Sequence, residues 1–188
     1  MIVDTKDGVV LIDTGWGDWA TEQIVKWVRN NLHKKVILCV STHFHADRIG
    51  GVQTLEKMKI HAICTPLTAS LAKQHGVAAP EGILPNDTTF RKGDIDFECF
   101  YPGKGHAPDN IVVWLPQQKV LFGGCLVKSL DTDDIGNLSD ASLSEWPQTI
   151  QTVKNKFPDA AIIIPGHQGW SSTKSLDHTI ELVEKAKK

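Results

Sequence analysis

Short apolar runs, each closed within a few residues by a glycine or a polar turn, constrain this chain most. Gly8 to Gly15 (GVVLIDTG), Val36 to Val40, Lys59 to Cys64, Asn110 to Leu115, Lys119 to Phe122 and Ala160 to Ile164 are too short for helices. They read as strands, most of them buried. Asp94 to Tyr101 alternates, with Ile95, Phe97, Cys99 and Tyr101 on one face, the pattern of a half-buried strand. Pro116-Gln117-Gln118 joins two of these strands as a hairpin. No run approaches the ~20 apolar residues that a membrane span needs.

Amphipathic stretches lie between the strands. Asp18 is placed to cap a helix over 19–32 with Ile24, Trp27, Val28 and Leu32 on one face. A short helix carrying Val52, Leu55 and Met58 follows Gly50-Gly51, and Thr65-Pro66 opens a helix that Gly76 closes. Ser144 and Ser175 are expected to cap two more, the last ending in Lys185, Lys187 and Lys188, which suit its negative end. Residues 77–87 are turn-rich. Strands and helices mix without a clean βαβ repeat, so the expected class is α/β, with helices covering mixed sheets rather than a Rossmann sheet.

A length of 188 residues reads as a single domain, 1–188. With 41% hydrophobic and 22% charged residues the chain is neither disordered nor a disulfide-dense miniprotein. A net charge of −2 without a basic stripe argues against nucleic acid as a partner. The four cysteines form no CxxC pair, and Cys39, Cys64 and Cys99 read as small buried hydrophobes. No charged segment followed by an apolar one opens the chain, so no signal peptide is read, and Met1 to Thr5 already reads as a strand.

The chemistry concentrates at strand ends. His43-Phe44-His45-Ala46-Asp47-Arg48 follows the strand 36–40 directly. In an extended segment His43, His45 and Asp47 project to one side, an N/N/O donor set suited to Zn²⁺. His106 in Gly105-His106, Cys125 in Gly124-Cys125 and His167 in Gly166-His167 each follow another expected strand. Four strand ends offering ligand-type residues beside glycines make one shared site the economical reading. His33, His61, His75 and His178 have no partner motif and read as structural or exposed. Trp27, Trp114 and Trp146 read as core, whereas Trp16, Trp19 and Trp170 lie near turns that could border a pocket.

Together with Leu11-Ile12-Asp13-Thr14-Gly15, Tyr101-Pro102-Gly103, Asp109 to Pro116, Gly123 to Lys128, Gly136-Asn137 and Asp140-Ala141, these motifs resemble the metallo-beta-lactamase superfamily. Arg48 and Cys125, where most branches carry histidine and aspartate, make the chain similar to the subclass one zinc beta-lactamases of class B. The resemblance implies a four-layer αββα sandwich of mixed sheets. It also implies hydrolysis of penicillins, cephalosporins and carbapenems by attack of a metal-bound hydroxide, conferring antibiotic resistance. It assigns His43, His45 and His106 to a first zinc, and Asp47, Cys125 and His167 to a second. Asp47 would also orient the nucleophile, Lys128 would pair with the substrate carboxylate, and Asn137 would polarise the lactam carbonyl. On the residues alone, Lys128 reads equally as an exposed strand-end lysine and Asn137 as a turn residue. Asp13 and Arg48 are better read as supporting groups than as catalysts, and Asp109 and Asn110 as fixing the loop of His106. Three departures stand out: Gln168-Gly169-Trp170 after His167, Ala107-Pro108 after His106, and the start, where the family has an export signal and further strands. The resemblance thus implies an N-terminally truncated domain of a periplasmic protein. It also implies a small-molecule β-lactam partner, no membrane association and a monomer. The alternatives are another metallo-hydrolase of the superfamily (thioesterase, lactonase or phosphodiesterase) or an inactive metal-binding fragment.

Overall fold

The computed structural model describes residues 1–170 and 172–188. In chain order the strands are β1 (Ile2–Thr5), β2 (Gly8–Ile12), β3 (Val36–Val40), β4 (His61–Cys64), β5 (Glu81–Gly82), β6 (Asp87–Lys92), β7 (Ile95–Phe100), β8 (Val112–Leu115), β9 (Val120–Gly124) and β10 (Ile162–Pro165). The helices are α1 (Gly17–Trp27), α2 (Ala46–Ile49), α3 (Val52–Lys57), α4 (Pro66–Gln74), α5 (Trp146–Lys156) and α6 (Ser175–Ala186). Two five-stranded sheets run in the orders β1-β2-β3-β4-β5 and β10-β9-β8-β7-β6. The chain divides after Asp96, within β7, into two compact units.

In the first unit β1 pairs antiparallel with β2, and β2, β3, β4 and β5 are parallel. Parallel strands covered by helices read as continuous apolar runs, and every residue of β2 is buried. Val9, Leu11, Cys39, Val28 and Leu55 gather into one core cluster. The expected helix over 19–32 is α-helical only to Trp27 and finishes as a π-helical turn over Val28–Leu32, ending at His33 with φ of 53°. Asp18 does not cap it; its carboxylate accepts a hydrogen bond from the Thr54 hydroxyl at 2.6 Å. Thr65 does cap α4, its hydroxyl accepting the Thr68 N–H at 3.1 Å with Pro66 in the first turn.

In the second unit β7, β8 and β9 form an antiparallel meander, and β10 joins β9 in parallel. Trp114, Leu121, Trp146, Ile150 and Leu176 lie in its core, with α5 and α6 packed on the sheet. Ser144 and Ser175 do not cap their helices; Ser175 opens α6 and donates to the Ser172 carbonyl at 2.9 Å. The β9–β10 ladder contains a one-residue slip. Ile164 faces Phe122 but Pro165 faces Gly124, so Gly123 has no opposite number. Gly124, at φ of 55°, takes up the left-handed backbone that ends the strand there.

Candidate functional site

In the first unit the site is built where β2 and β3 end. Asp13 follows β2 at φ of 66°, a conformation that asparagine and aspartate tolerate better than most residues. Its carboxylate accepts the Thr42 backbone N–H at 2.7 Å and the Thr42 hydroxyl at 3.0 Å. The segment carrying His43 is thereby pinned to the neighbouring strand. His43 is wholly buried, His45 is half-buried, and their rings meet edge to face at 4.8 Å. The Thr42 hydroxyl lies 3.3 Å from His43 Nδ1.

Asp47 corrects the extended reading of the motif. His45 is extended, with ψ of 152°, but Ala46 begins the single turn of α2 and Asp47 lies inside it. Arg48, next along the turn, sets Nε 3.1 Å from the Asp47 carboxylate and Nη1 3.6 Å from that of Asp13. The Arg48 carbonyl accepts from both Thr14 N–H (2.9 Å) and the Thr14 hydroxyl (3.0 Å). Burial pushes the Asp13 carboxyl above the usual carboxylate range, while Arg48 and the Thr42 hydrogen bonds pull it back. Asp13 thus holds the segment before His43, and Arg48 lies against the Asp47 carboxylate.

In the second unit Cys125 directly follows β9 and His167 follows β10 by one residue. The slip in the ladder leaves Cys125 Sγ 3.4 Å from His167 Nε2. His106 is buried in a loop that Asn110 closes. The Asn110 side chain accepts the Ala107 N–H at 2.9 Å and donates to the Gly103 carbonyl at 3.0 Å. Tyr101 adds a bond from its hydroxyl to the Pro108 carbonyl at 2.9 Å. The loop needs no hydroxyl at Ala107, which is itself fully buried. The His106 ring lies 5.9 Å from that of Trp146.

A cavity of about 160 Å³ in this unit is lined by Cys125, His167, Lys128, Thr132, Asp134 and Gln168, among others. Lys128 Nζ lies 5.4 Å over the Trp146 ring, and its backbone N–H donates to the Thr179 hydroxyl at 2.8 Å. Asn137 is exposed just beyond Gly136, which also lines the cavity, and its side-chain oxygen accepts the Ser139 N–H at 3.0 Å. Thr179 is a contributor that sequence reading missed: it lies mid-helix, 51 residues from Lys128, and no local pattern marks it.

The remaining histidines lie apart from these motifs in sequence. His61 pairs with Glu81, and His178 Nε2 meets the Thr132 carbonyl at 2.7 Å. His75 stands 4.7 Å from the ring of Phe44. Trp114 and Trp146 are core as expected, but Trp27, the last residue of α1, is 48% exposed. Cys39, Cys64, Cys99 and Cys125 are all buried thiols, outside any disulfide.

The donors suit zinc. Neutral imidazoles, one thiolate and one carboxylate are the borderline-soft set that Zn²⁺ takes, and a thiolate disfavours magnesium and calcium. Among the described residues no helix is long and apolar enough to cross a membrane.

Known proteins agree with this architecture. The family model described as metallo-beta-lactamase superfamily matches residues 1–167. The chain is 42% identical over 184 residues to the metallo-beta-lactamase type 2 of Bacillus cereus, covering 98% of this chain and 72% of that one. The solved metallo-beta-lactamase from Pontibacter korlensis superposes with a TM-score of 0.94 at 43% identity, covering 97% of this chain and 85% of the other. The metallo-beta-lactamase FIM-1 from Pseudomonas aeruginosa, solved in its mono-zinc form, gives 0.88 at 34% identity over 98% of this chain and 82% of its own. Two mixed sheets with helices, the motif after β3 and matches over nearly its whole length lead to one conclusion: this chain belongs to the metallo-beta-lactamase superfamily.

Proposed function

We propose that residues 1–188 act as one catalytic domain that hydrolyses β-lactam rings with zinc as cofactor, in the periplasm of its host. The observation that carries the reading is the Cys125–His167 pair at 3.4 Å, set in a cavity that Lys128 also lines. A thiolate and an imidazole beside a cation provide metal ligands and an anchor for a substrate carboxylate in one small space. The zinc-binding relative FIM-1 and the relatives named metallo-beta-lactamase type 2 support the metal and the reaction.

His43, His45 and His106 would hold one zinc, and Asp47, Cys125 and His167 a second. Zinc, when bound, would lower the pKa of a coordinated water toward ~7 and act as a Lewis acid for the lactam carbonyl. The chain's own residues do the rest. Lys128 binds the carboxylate that penicillins, cephalosporins and carbapenems share. Asn137 donates its amide N–H to the lactam oxygen as charge grows there, which strengthens that bond in the transition state. Asp47, aimed by Arg48, orients the attacking water and accepts its hydrogen bond. No side chain forms a covalent bond to substrate, so serine-directed inactivators should have no effect.

The test is turnover of a chromogenic cephalosporin beside a glutathione thioester and a homoserine lactone, before and after chelation. We expect cephalosporin hydrolysis, lost on chelation and restored by zinc. Turnover that survives exhaustive zinc removal, or confined to the thioester or lactone, would overturn the reading.

A further inference from the structure

His167 is an exposed residue, and its place beside Cys125 depends on the backbone of its loop. That backbone is held on both sides of the histidine. Ahead of it, the Gly166 N–H points at the Val127 carbonyl at 3.4 Å. Beyond it, Gly169 is gripped at both of its polar groups. Its carbonyl accepts the Ser129 hydroxyl at 2.6 Å, and its N–H donates to the Asp131 carboxylate at 3.1 Å. The Ser129 oxygen in turn accepts the Asp131 N–H at 3.1 Å, which closes a ring of three hydrogen bonds. Ser129 is 2% exposed, so water competes little for its bond. Between the two holds, Gln168 sits at φ of 62°, the strained left-handed turn that reverses the loop. A Cβ at Gly169 would push the Asp131 carboxylate out of its place beside the Gly169 N–H.

We propose that Ser129 and Asp131 are positioning residues for His167, and that they set the affinity of the Cys125–His167 half of the zinc site. This rests on the zinc reading above. Ser129 lines the cavity beside Lys128, but its hydroxyl proton is given to the Gly169 carbonyl; Asp131 is not part of that lining. Both act through the backbone of Gly169, two residues beyond His167. Groups that orient a metal ligand are typically worth roughly 10- to 100-fold in affinity.

The experiment is competition between the purified chain and a chromophoric chelator, read for the first and second equivalents of zinc. Cobalt substitution, read at the near-ultraviolet thiolate-to-metal band, reports on Cys125 separately. Ser129→Ala and Asp131→Ala should weaken the second equivalent by roughly 10- to 100-fold and leave the first unchanged. Asp131→Asn keeps an oxygen acceptor for the Gly169 N–H and should stay within a few-fold of wild type. Equal loss of both equivalents, with a lowered melting temperature, would mark the ring as merely structural and overturn the proposal. Unchanged affinities in both alanine variants would overturn it as well. A wild-type chain that takes up no zinc refutes the zinc reading beneath it, and is told apart because every variant then behaves alike.

Discussion

Arg48 bridges two carboxylates, lying 3.1 Å from Asp47 and 3.6 Å from Asp13. Asp13 and Arg48 are both almost wholly buried, and the Asp13 carboxylate also accepts the Thr42 N–H and hydroxyl. Asp13→Ala would remove one of the two carboxylates beside Arg48 and leave the buried Thr42 N–H without its acceptor, and an unsatisfied buried donor costs about 1–3 kcal/mol. A fall in melting temperature is expected, with chemical denaturation as the check. A change below about 1 kcal/mol would show that water reaches the Thr42 N–H freely.

The burial of Trp146 gives a second stability prediction. This side chain is fully buried, and its indole N–H donates to the Leu126 carbonyl at 2.9 Å, one residue after Cys125. Trp146→Phe removes that donor and part of the core volume at once. The two losses together should cost about 2–4 kcal/mol. Urea denaturation of the variant beside wild type measures it.

Lys128 should act on binding more than on turnover. Its hydrogen bonds to a carboxylate are worth about 1.5–3 kcal/mol. Lys128→Ala should therefore raise KM for β-lactams roughly 10- to 100-fold while kcat changes less. Steady-state kinetics on two β-lactams that differ only in their remote substituents tests this, and an unchanged KM would remove Lys128 from the substrate contacts.

The four thiols should separate by reactivity. Burial raises the Cys99 thiol to about 12, and burial followed by the Asp13 carboxylate raises Cys39 to about 12. Cys64 is fully buried against the Pro80 carbonyl, 3.6 Å away. Cys125 lines a cavity. A thiol reagent at pH 8 should label Cys125 in the folded zinc-free chain and the other three only after unfolding. Because the folded pKa values of Cys39 and Cys99 lie above the unfolded value of 9.0, the folded state holds more protons between pH 9 and about 12. Their contribution is complete below pH 9 and is lost as pH climbs through that window. Alkaline denaturation followed by circular dichroism checks the direction.

Much of this molecule was legible in its residues because buried strands announce themselves. The runs at 8–12, 36–40 and 112–115 are apolar on both faces, which only a covered sheet allows. β5 and β6 were not legible. β5 is two residues long, and β6 is a largely polar strand with no fully buried position. Helix starts followed the same logic. Thr65 caps because Pro66 fixes the first turn behind it, whereas Asp18 and Ser175 found better partners in Thr54 and Ser172. The ligand-type residues were visible as motifs at strand ends. The bend that puts Asp47 on a helical turn was not, since alternation in the sequence reads the same in an extended loop. Thr179, Ser129 and Asp131 were invisible for another reason. They act through backbone groups, which leave no trace in a neighbour's identity.

The slipped rung between β9 and β10 sets a phase. Gly123 is the extra residue of β9, so without it Gly124 and Cys125 would each shift by one step of the side-chain alternation relative to β10. The spare glycine therefore works as a spacer whose length is counted in single residues. Deleting Gly123 would keep every donor in the chain and most of its core, yet put thiol and imidazole out of step. In this half of the molecule, ligand geometry is a matter of counting along two strands before it is a matter of which side chains they carry.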